Sequence, residues 1–326
     1  MGEPSSLSAQ TPASTAPPGV SIDLSAVVLA VTADEPRVLA LQSGERPALP
    51  SGPLETAHRT LEAGLRSWVE RQTDQRLNYV EQLYTFGDLD RHDAGARALS
   101  VAYLALVREA RTAGEAEAAW LDWYGFFPWE DWRGGRPPLL DAIEQALEAW
   151  AEAAPTPRTA DVRRLRRRLA FPDAGGTWND ERVLERYELL YEAGLVAESR
   201  LDGPDRPLPL PPLPLPLGRP MAFDHRRILA TAIGRLRGKI KYRPVVFELM
   251  PPAFTLLQLQ RAVEALSGML LHKQNFRRLV ETQGLVEETG ETVSATGGRP
   301  ARLVRFRREV LVERPAPGVR TQGARR

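Results

Sequence analysis

The run "PLPLPPLPLP" at residues 207–216 alternates proline with leucine so densely that neither a helix nor a sheet strand can pass through it. Each proline fixes φ and removes a backbone donor, which leaves an extended, semi-rigid spacer. Such a run also suits a proline-binding module, but a spacer is the simpler reading. A chain interrupted in this way builds its cores on either side of the break. Its 326 residues exceed one comfortable domain, so two domains with connecting material are expected.

Charge divides the chain at the same place. From Arg219 onward there are 21 Lys and Arg against 9 Asp and Glu, whereas the preceding 218 residues carry 22 against 33. The net charge of +1 therefore hides a basic C-terminal module joined to an acidic N-terminal one. A basic module suits a polyanion partner, and a merely solvated surface is the alternative. With no cysteine, disulfides, thiolate zinc sites and a cysteine nucleophile are excluded. The four scattered histidines, His58, His92, His225 and His272, do not suggest a histidine-rich metal site. No run of about 18 apolar residues is present, and the first residues lack a charged-then-apolar pattern, so no membrane span or secretion signal is expected. The expected location is the cytoplasm.

Residues 1–20 are rich in Ser, Thr, Ala and Pro and read as a disordered tail; residues 313–326 read as a flexible one. Two β-rich runs, 24–31 and 37–41, flank the turn-forming "ADEP" and predict a hairpin. Residues 60–72 place Leu61, Leu65, Trp68 and Val69 on one helical face. Strands are expected at 79–86 and 99–107, around the polar loop "GDLDRHDAGARA". The aromatic segment "WLDWYGFFPWEDW" offers either a ligand platform or an inter-domain seam, and packing is favoured because large rings mostly serve burial. Helices follow at about 138–154, from Asp161, and up to Gly194, a left-handed cap. The basic run 163–168 on the second of these has two possible partners, DNA or the acidic domain.

Beyond the spacer, residues 224–242 form a helix whose Leu229, Ala232, Ile233, Leu236 and Ile240 make a stripe, with Arg226, Arg227, Arg235, Arg237, Lys239 and Lys241 mostly outside it. Thr255 is a good N-cap for a second helix that Gly268 stops. A third, "HKQNFRRLVETQG", buries Phe276, Leu279 and Val280 and turns Lys273, Gln274, Asn275, Arg277 and Arg278 outward. Arg and Lys recognise guanine, Asn and Gln adenine. A helix, a tight turn and a polar helix of this composition describe a helix-turn-helix, and "GLVEET" with "ARLVRFRRE" adds a winged hairpin. Arg299 near its tip and Arg302 suit phosphate or minor-groove contact; Lys239, Lys241, Arg243 and Thr255 complete the expected DNA-binding set. The competing use of such a domain is protein contact, which would make the chain an adaptor.

These residues resemble the Nudix-related transcriptional regulators of bacterial NAD metabolism, the NrtR group, and within it the NadQ-like repressors of NAD biosynthesis. The resemblance spans roughly residues 21–306 and is sharpest from "YRPVVFELMPPAF" through "GRPARLVRF". His272 followed by "KQNFRR" stands where related proteins tend to have an acidic residue and Lys-Arg-Asn-Phe-Arg-Arg; His is a poorer N-cap than Asp. The Nudix pattern is Gly, five residues, Glu, seven residues, then Arg-Glu-Ψ-x-Glu-Glu-x-Gly-Ψ, with Ψ aliphatic. Counted from Gly52, its first Glu falls on His58, its Arg on Arg66, the next Glu on Ser67, the last acid on Arg71 and the Gly on Thr73, so only Glu70 survives of the clustered acids. Nudix hydrolysis needs Mg²⁺ or Mn²⁺ held by several carboxylates, and one carboxylate cannot assemble that site. No catalytic residue and no metal site are therefore expected.

The resemblance implies an α+β chain. A Nudix-like α/β/α sandwich at residues 21–155, with its degenerate box at 52–74, is followed by a helical connector and spacer at 156–218 and a winged helix-turn-helix at 219–312. It implies a sensor for an adenine nucleotide, NAD, ATP or ADP-ribose, with Arg46, Arg66, Glu70, Tyr84, Phe86, Arg91 and Arg97 around the effector. It further implies a homodimer that represses NAD-biosynthesis genes from a palindromic double-stranded operator. The alternative is a metal-dependent hydrolase of ADP-ribose-like substrates.

Overall fold

The computed structural model describes residues 20–87, 98–109, 114, 116–173, 175–200, 217–294, 300–313 and 318–319. The two tails, apart from a few residues, and the proline spacer lie outside them.

The expected hairpin forms between β1 (Ser21–Thr32) and β2 (Glu35–Ser43). Its turn places Ala33 and Asp34 at φ 51° and 66°, the left-handed pair that suits a two-residue hairpin. β1 is buried continuously from Leu24 to Ala30, on both faces. That pattern marks a central strand, and β1 indeed runs parallel to β6 (Ala98–Leu106). β5 (Tyr79–Phe86) pairs with β6, β3 (Arg46–Ala48) and β7 (Ala118–Asp122) with β2, and β4 (Ser51–Pro53) with β1. The main path is β3-β2-β1-β6-β5.

On one face Leu24, Ala26, Val28 and Ala30 meet Leu65 and Val69 of α1 (Leu61–Thr73). On the other, Val27 and Leu29 enter a core shared with Trp123, Phe126, Phe127 and Trp129, so the aromatic segment is packing, as favoured from the sequence. The helices α2 (Leu139–Glu152), α3 (Pro157–Ala170) and α4 (Val183–Glu192) stack in order, and α4 packs on α5 (His225–Ile240). α5 in turn lies against β1, β5 and β6, and α6 (Leu256–Ser267) against β1 and β2. The second helical layer of the sandwich is therefore supplied from beyond the spacer.

Burial corrects the expected solvent face of α5. Arg226 and Arg237 are fully buried, one turn from Leu229 or Ile233 and on the same side of the helix. Arg237 and Arg186 of α4 both grip Glu130, at 2.6 Å from Nη1 and 2.8 Å from Nη2 respectively. Arg226 meets Glu198 at 3.1 Å and donates to the carbonyls of Phe126 and Leu217. Three of the remaining cations are also engaged: Arg227 pairs with Glu188, Lys239 with Glu81, and Lys241 with Asp180 and Glu181 at 2.7 Å.

Burial alone would push the Glu130 carboxyl upward, but the two guanidinium groups overcome it and hold the carboxyl below its ordinary range. A depressed carboxylate stabilises the fold fully above its unfolded value of about 4.3, and that contribution is lost as pH falls through the folded value. Glu130→Ala leaves two guanidinium groups buried without their acid, and is expected to reduce the unfolding free energy near pH 7 by about 3–5 kcal/mol. In urea melts the gap to wild type should narrow as the buffer approaches about pH 3. A gap that stays constant with pH would show that Glu130 carries no such load.

Candidate functional site

The C-terminal helical unit begins with a 3₁₀ turn at Val245–Leu249 and then α6. Thr255 and Gln258 form a reciprocal capping box at its start: the Gln258 amide donates to Thr255 Oγ1 and Thr255 N to Gln258 Oε1. Gly268 ends the helix at φ 73°, where an added Cβ would lie 2.3 Å from the Glu130 carbonyl. α7 (Lys273–Thr282) follows; His272 caps it without a side-chain hydrogen bond, as its chemistry leads one to expect. β8 (Val286–Val293) and β9 (Ala301–Phe306) form the winged hairpin, and Phe254 pairs with Val304 on its inner side. Phe306 stacks on Phe247 at 4.3 Å, which seats the hairpin on the helices.

α7 buries Phe276 and Val280, with Leu279 partly covered, and exposes Lys273, Gln274, Asn275, Arg277 and Arg278. Among the described residues none of its three cations has an acidic partner. The contrast with the other basic helices is sharp. In α3, Arg163 lies over Trp150, Arg164 pairs with Glu148, Arg166 with Glu192 and Arg167 with Asp173. Four of the five arginines in the run 163–168 are thus engaged within the N-terminal part of the chain, and Arg168 is exposed.

Other members of the expected DNA-binding set are placed differently. Lys239 and Lys241 are held in the ion pairs described above, and Thr255 is buried with its hydroxyl accepting in the cap. Arg243 is exposed just after α5. Arg302 is exposed on β9 and pairs with Glu288 at 2.6 Å, while Arg299 lies outside the described residues.

In the N-terminal half the helix end changes the Nudix register. The pattern's glycine suits a left-handed turn that ends a helix. Here that turn is Asp74, at φ 57°, whose amide donates to the Glu70 carbonyl at 2.8 Å. Thr73 is still helical and buried, with its hydroxyl donating to the Val69 carbonyl at 2.7 Å. Placing the glycine position on Asp74 moves every other position by one. The pattern's Arg falls on Ser67, its first clustered acid on Trp68, its aliphatic residue on the fully buried Val69, and its last two acids on Arg71 and Gln72. Glu70 then occupies an unconstrained position; it is exposed and pairs with Arg76 at 3.2 Å. The survival of one box acid, expected by counting from Gly52, is thereby corrected: the count ignores the turn geometry that sets the register.

The side of α1 that faces β4 carries Trp68 and Gln72. Trp68 Nε1 donates to the Pro53 carbonyl at 2.9 Å, and its ring lies over Gly52, where an added Cβ would approach it to 2.3 Å. The Gln72 amide brackets Ser51, donating to its carbonyl at 2.9 Å and accepting from its amide at 3.2 Å. The Arg71 guanidinium lies 4.4 Å from the Trp68 ring centre. A hard divalent cation requires carboxylate or carbonyl oxygens, and this side chain set does not fit one. Among the described residues no group of three His, Asp or Glu is arranged to hold a metal.

The remaining expected effector residues are dispersed. Arg66 bonds Glu62 at 2.9 Å and the carbonyls of Leu77 and Asn78, so it staples α1 to the chain entering β5. Tyr84 is 64% exposed, but Phe86 is buried in the core beneath it, their rings edge to face at 5.4 Å. Arg46 lies on β3 and Tyr84 on β5, at opposite ends of the strand path, so the sheet does not bring them together. Arg91 and Arg97 lie outside the described residues. Sequence reasoning missed Trp68, Arg71 and Gln72 as a set; their i, i+3, i+4 spacing was the available signal.

Gly52→Ala is expected to displace the Trp68 ring, costing about 1–3 kcal/mol through overpacking. Its check is a thermal melt together with the crystal structure of the variant; an undisturbed indole would refute the close packing.

Residues 246–306 match the family model of the NrtR DNA-binding winged helix domain. The ADPR responsive transcriptional repressor NtrR of Acinetobacter baylyi is 45% identical over 86 residues, which span 26% of this chain and 34% of that repressor. Among solved structures, Shewanella oneidensis NrtR matches with a TM-score of 0.53 at 20% identity, over 89% of this chain and 95% of that one. The same protein complexed with a 27mer DNA gives a TM-score of 0.50. A MutT/nudix family protein from Enterococcus faecalis matches at 0.53 and 17% identity, over 92% of this chain and 90% of that one. The fold is accordingly a Nudix-like domain followed by a C-terminal winged helix.

Proposed function

We propose that this chain, with an NrtR-type winged helix at residues 246–306, is a ligand-responsive transcriptional repressor of NAD-biosynthesis genes with a non-catalytic Nudix-like sensor. The observation that carries the reading is the outer face of α7, where Lys273, Gln274, Asn275, Arg277 and Arg278 stand exposed and its cations lack acidic partners among the described residues. Elsewhere this protein pairs many of its arginines and lysines with acids. A helix that keeps its cations and amides open supports a nucleic-acid partner, with phosphates giving affinity and base edges specificity.

The DNA-binding unit starts after α5, near residue 244, because α5 packs on the sheet as part of the sandwich. One recognition helix reads few base pairs, so two copies on a palindromic operator are the natural assembly. The resemblance to NadQ-like regulators supports NAD biosynthesis as the target. Because the Acinetobacter relative is named as ADPR responsive, ADP-ribose is the favoured effector over NAD and ATP. The α1 face of Trp68, Arg71 and Gln72 favours holding such a ligand over cleaving it. No helix among the described residues is long and apolar enough to cross a membrane.

Footprinting upstream of NAD-biosynthesis genes tests the reading, with and without ADP-ribose, NAD and ATP. Protection of a palindrome that weakens with salt and changes with ADP-ribose is expected. Arg277→Ala and Arg278→Ala should each lower operator affinity by about 1–3 kcal/mol, roughly ten- to hundredfold, without loss of fold. Full protection by both variants would overturn the assignment of α7.

A further inference from the structure

We infer that Arg71 replaces the divalent metal of a Nudix site, so that the sensor holds the pyrophosphate of its nucleotide with a guanidinium group and needs no metal ion. The inference rests on the effector reading above and adds to it the means of charge compensation.

Three observations carry it. First, the register set by Asp74 puts Arg71 on one of the positions the pattern reserves for a metal-binding acid, so the sign of the charge there is reversed. The neighbouring positions, Trp68 and Gln72, bring no carboxylate, and Glu70 is turned to Arg76. Second, α1 has two arginines with different engagements. Arg66 is bound to Glu62 and two carbonyls, whereas Arg71 is exposed and has no acid within salt-bridge distance among the described residues. Third, its support is rigid. Trp68 is pinned through Nε1 to the Pro53 carbonyl and laid against Gly52, and the Arg71 guanidinium rests on that ring. A stacked guanidinium retains its in-plane N–H donors, which suit two oxygens of a phosphate. The loop at Ser51–Pro53 and the helix are joined by Trp68 and Gln72, so the cation is presented where the box helix meets its loop.

A metal bound by carboxylates polarises the pyrophosphate and activates water for its cleavage. An arginine compensates the same charge but activates no water, so the ligand is bound and released unchanged.

Isothermal titration of the full-length protein with ADP-ribose, in EDTA and in Mg²⁺, provides the test. Wild type should bind equally in both buffers. Arg71→Ala should weaken binding roughly ten- to hundredfold, and Arg71→Glu should abolish it. Both variants should keep the melting temperature and operator affinity of the ligand-free protein, and Arg158→Ala, on the exposed side of α3, should bind like wild type. Binding that requires Mg²⁺, or that survives Arg71→Ala, overturns this inference while leaving the sensor reading intact. No binding of ADP-ribose by wild type in either buffer overturns both.

Discussion

The carboxylate of Glu130, enclosed between Arg186 and Arg237, is the contact on which the assembly of this protein turns. Glu130 belongs to the aromatic segment after β7, Arg186 to the helical stack and Arg237 to the helix beyond the spacer. All three are fully buried, so their pairing is enforced by desolvation: an unmatched partner would be a charge stranded in an apolar core. The same arginine reaches the Asp180 and Leu266 carbonyls, and Tyr124 donates to Ala265 at 2.7 Å. Burial pushes Tyr124 up to about 12, which keeps it a neutral donor there. The end of α6 is thus locked to the sandwich by the buried Arg237 and Tyr124.

This lock explains what was and was not legible in the sequence. Periodicity alone located the β1–β2 hairpin, α1, the α6–α7 pair and the wing, because each buries one regular face or alternates toward one core. The aromatic segment also declared itself as packing material. Charge was the misleading quantity. Arg226 and Arg237 were counted toward a basic surface, yet they share the inner side of α5 with Leu229, Ile233 and Ile240, as their spacing at one- and two-turn intervals allows. What the spacing did not contain was the identity of their acids, Glu198 and Glu130, which lie 28 and 107 residues away in the chain. Long-range pairing of this kind has no local signature.

The candidate effector site was less legible than the winged helix for a related reason. A helix-turn-helix is nearly self-contained: its cap at Thr255, its glycine at 268 and its exposed α7 face follow from adjacent residues. The Nudix box depends on a register between a loop and a helix end, and a count from Gly52 carries no information about where the helix stops. Asp74, with a short polar side chain that tolerates a left-handed backbone, takes the glycine's place and shifts the frame. Burial of Val69, which the pattern makes aliphatic in the shifted frame and leaves unconstrained in the counted one, agrees with the shifted frame.

The arrangement also limits how movement in the sheet can reach the winged helix. Breaking the Glu130 triad would strand buried charge at a cost of about 3–5 kcal/mol, more than the 1–3 kcal/mol typical of coupling between sites. A tie from the sheet to α6 is cheaper: Arg261 meets Asp34 of the hairpin turn at 3.0 Å. The pair is half exposed on both sides, so water can replace either partner and its net strength is small. Of these contacts the Arg261–Asp34 pair therefore yields at the lower cost, while the Glu130 triad holds α6 in place. Gly268, whose added Cβ would lie 2.3 Å from the Glu130 carbonyl, sits at the end of α6, so any tilt about that point would displace the far end of α7 and the wing most.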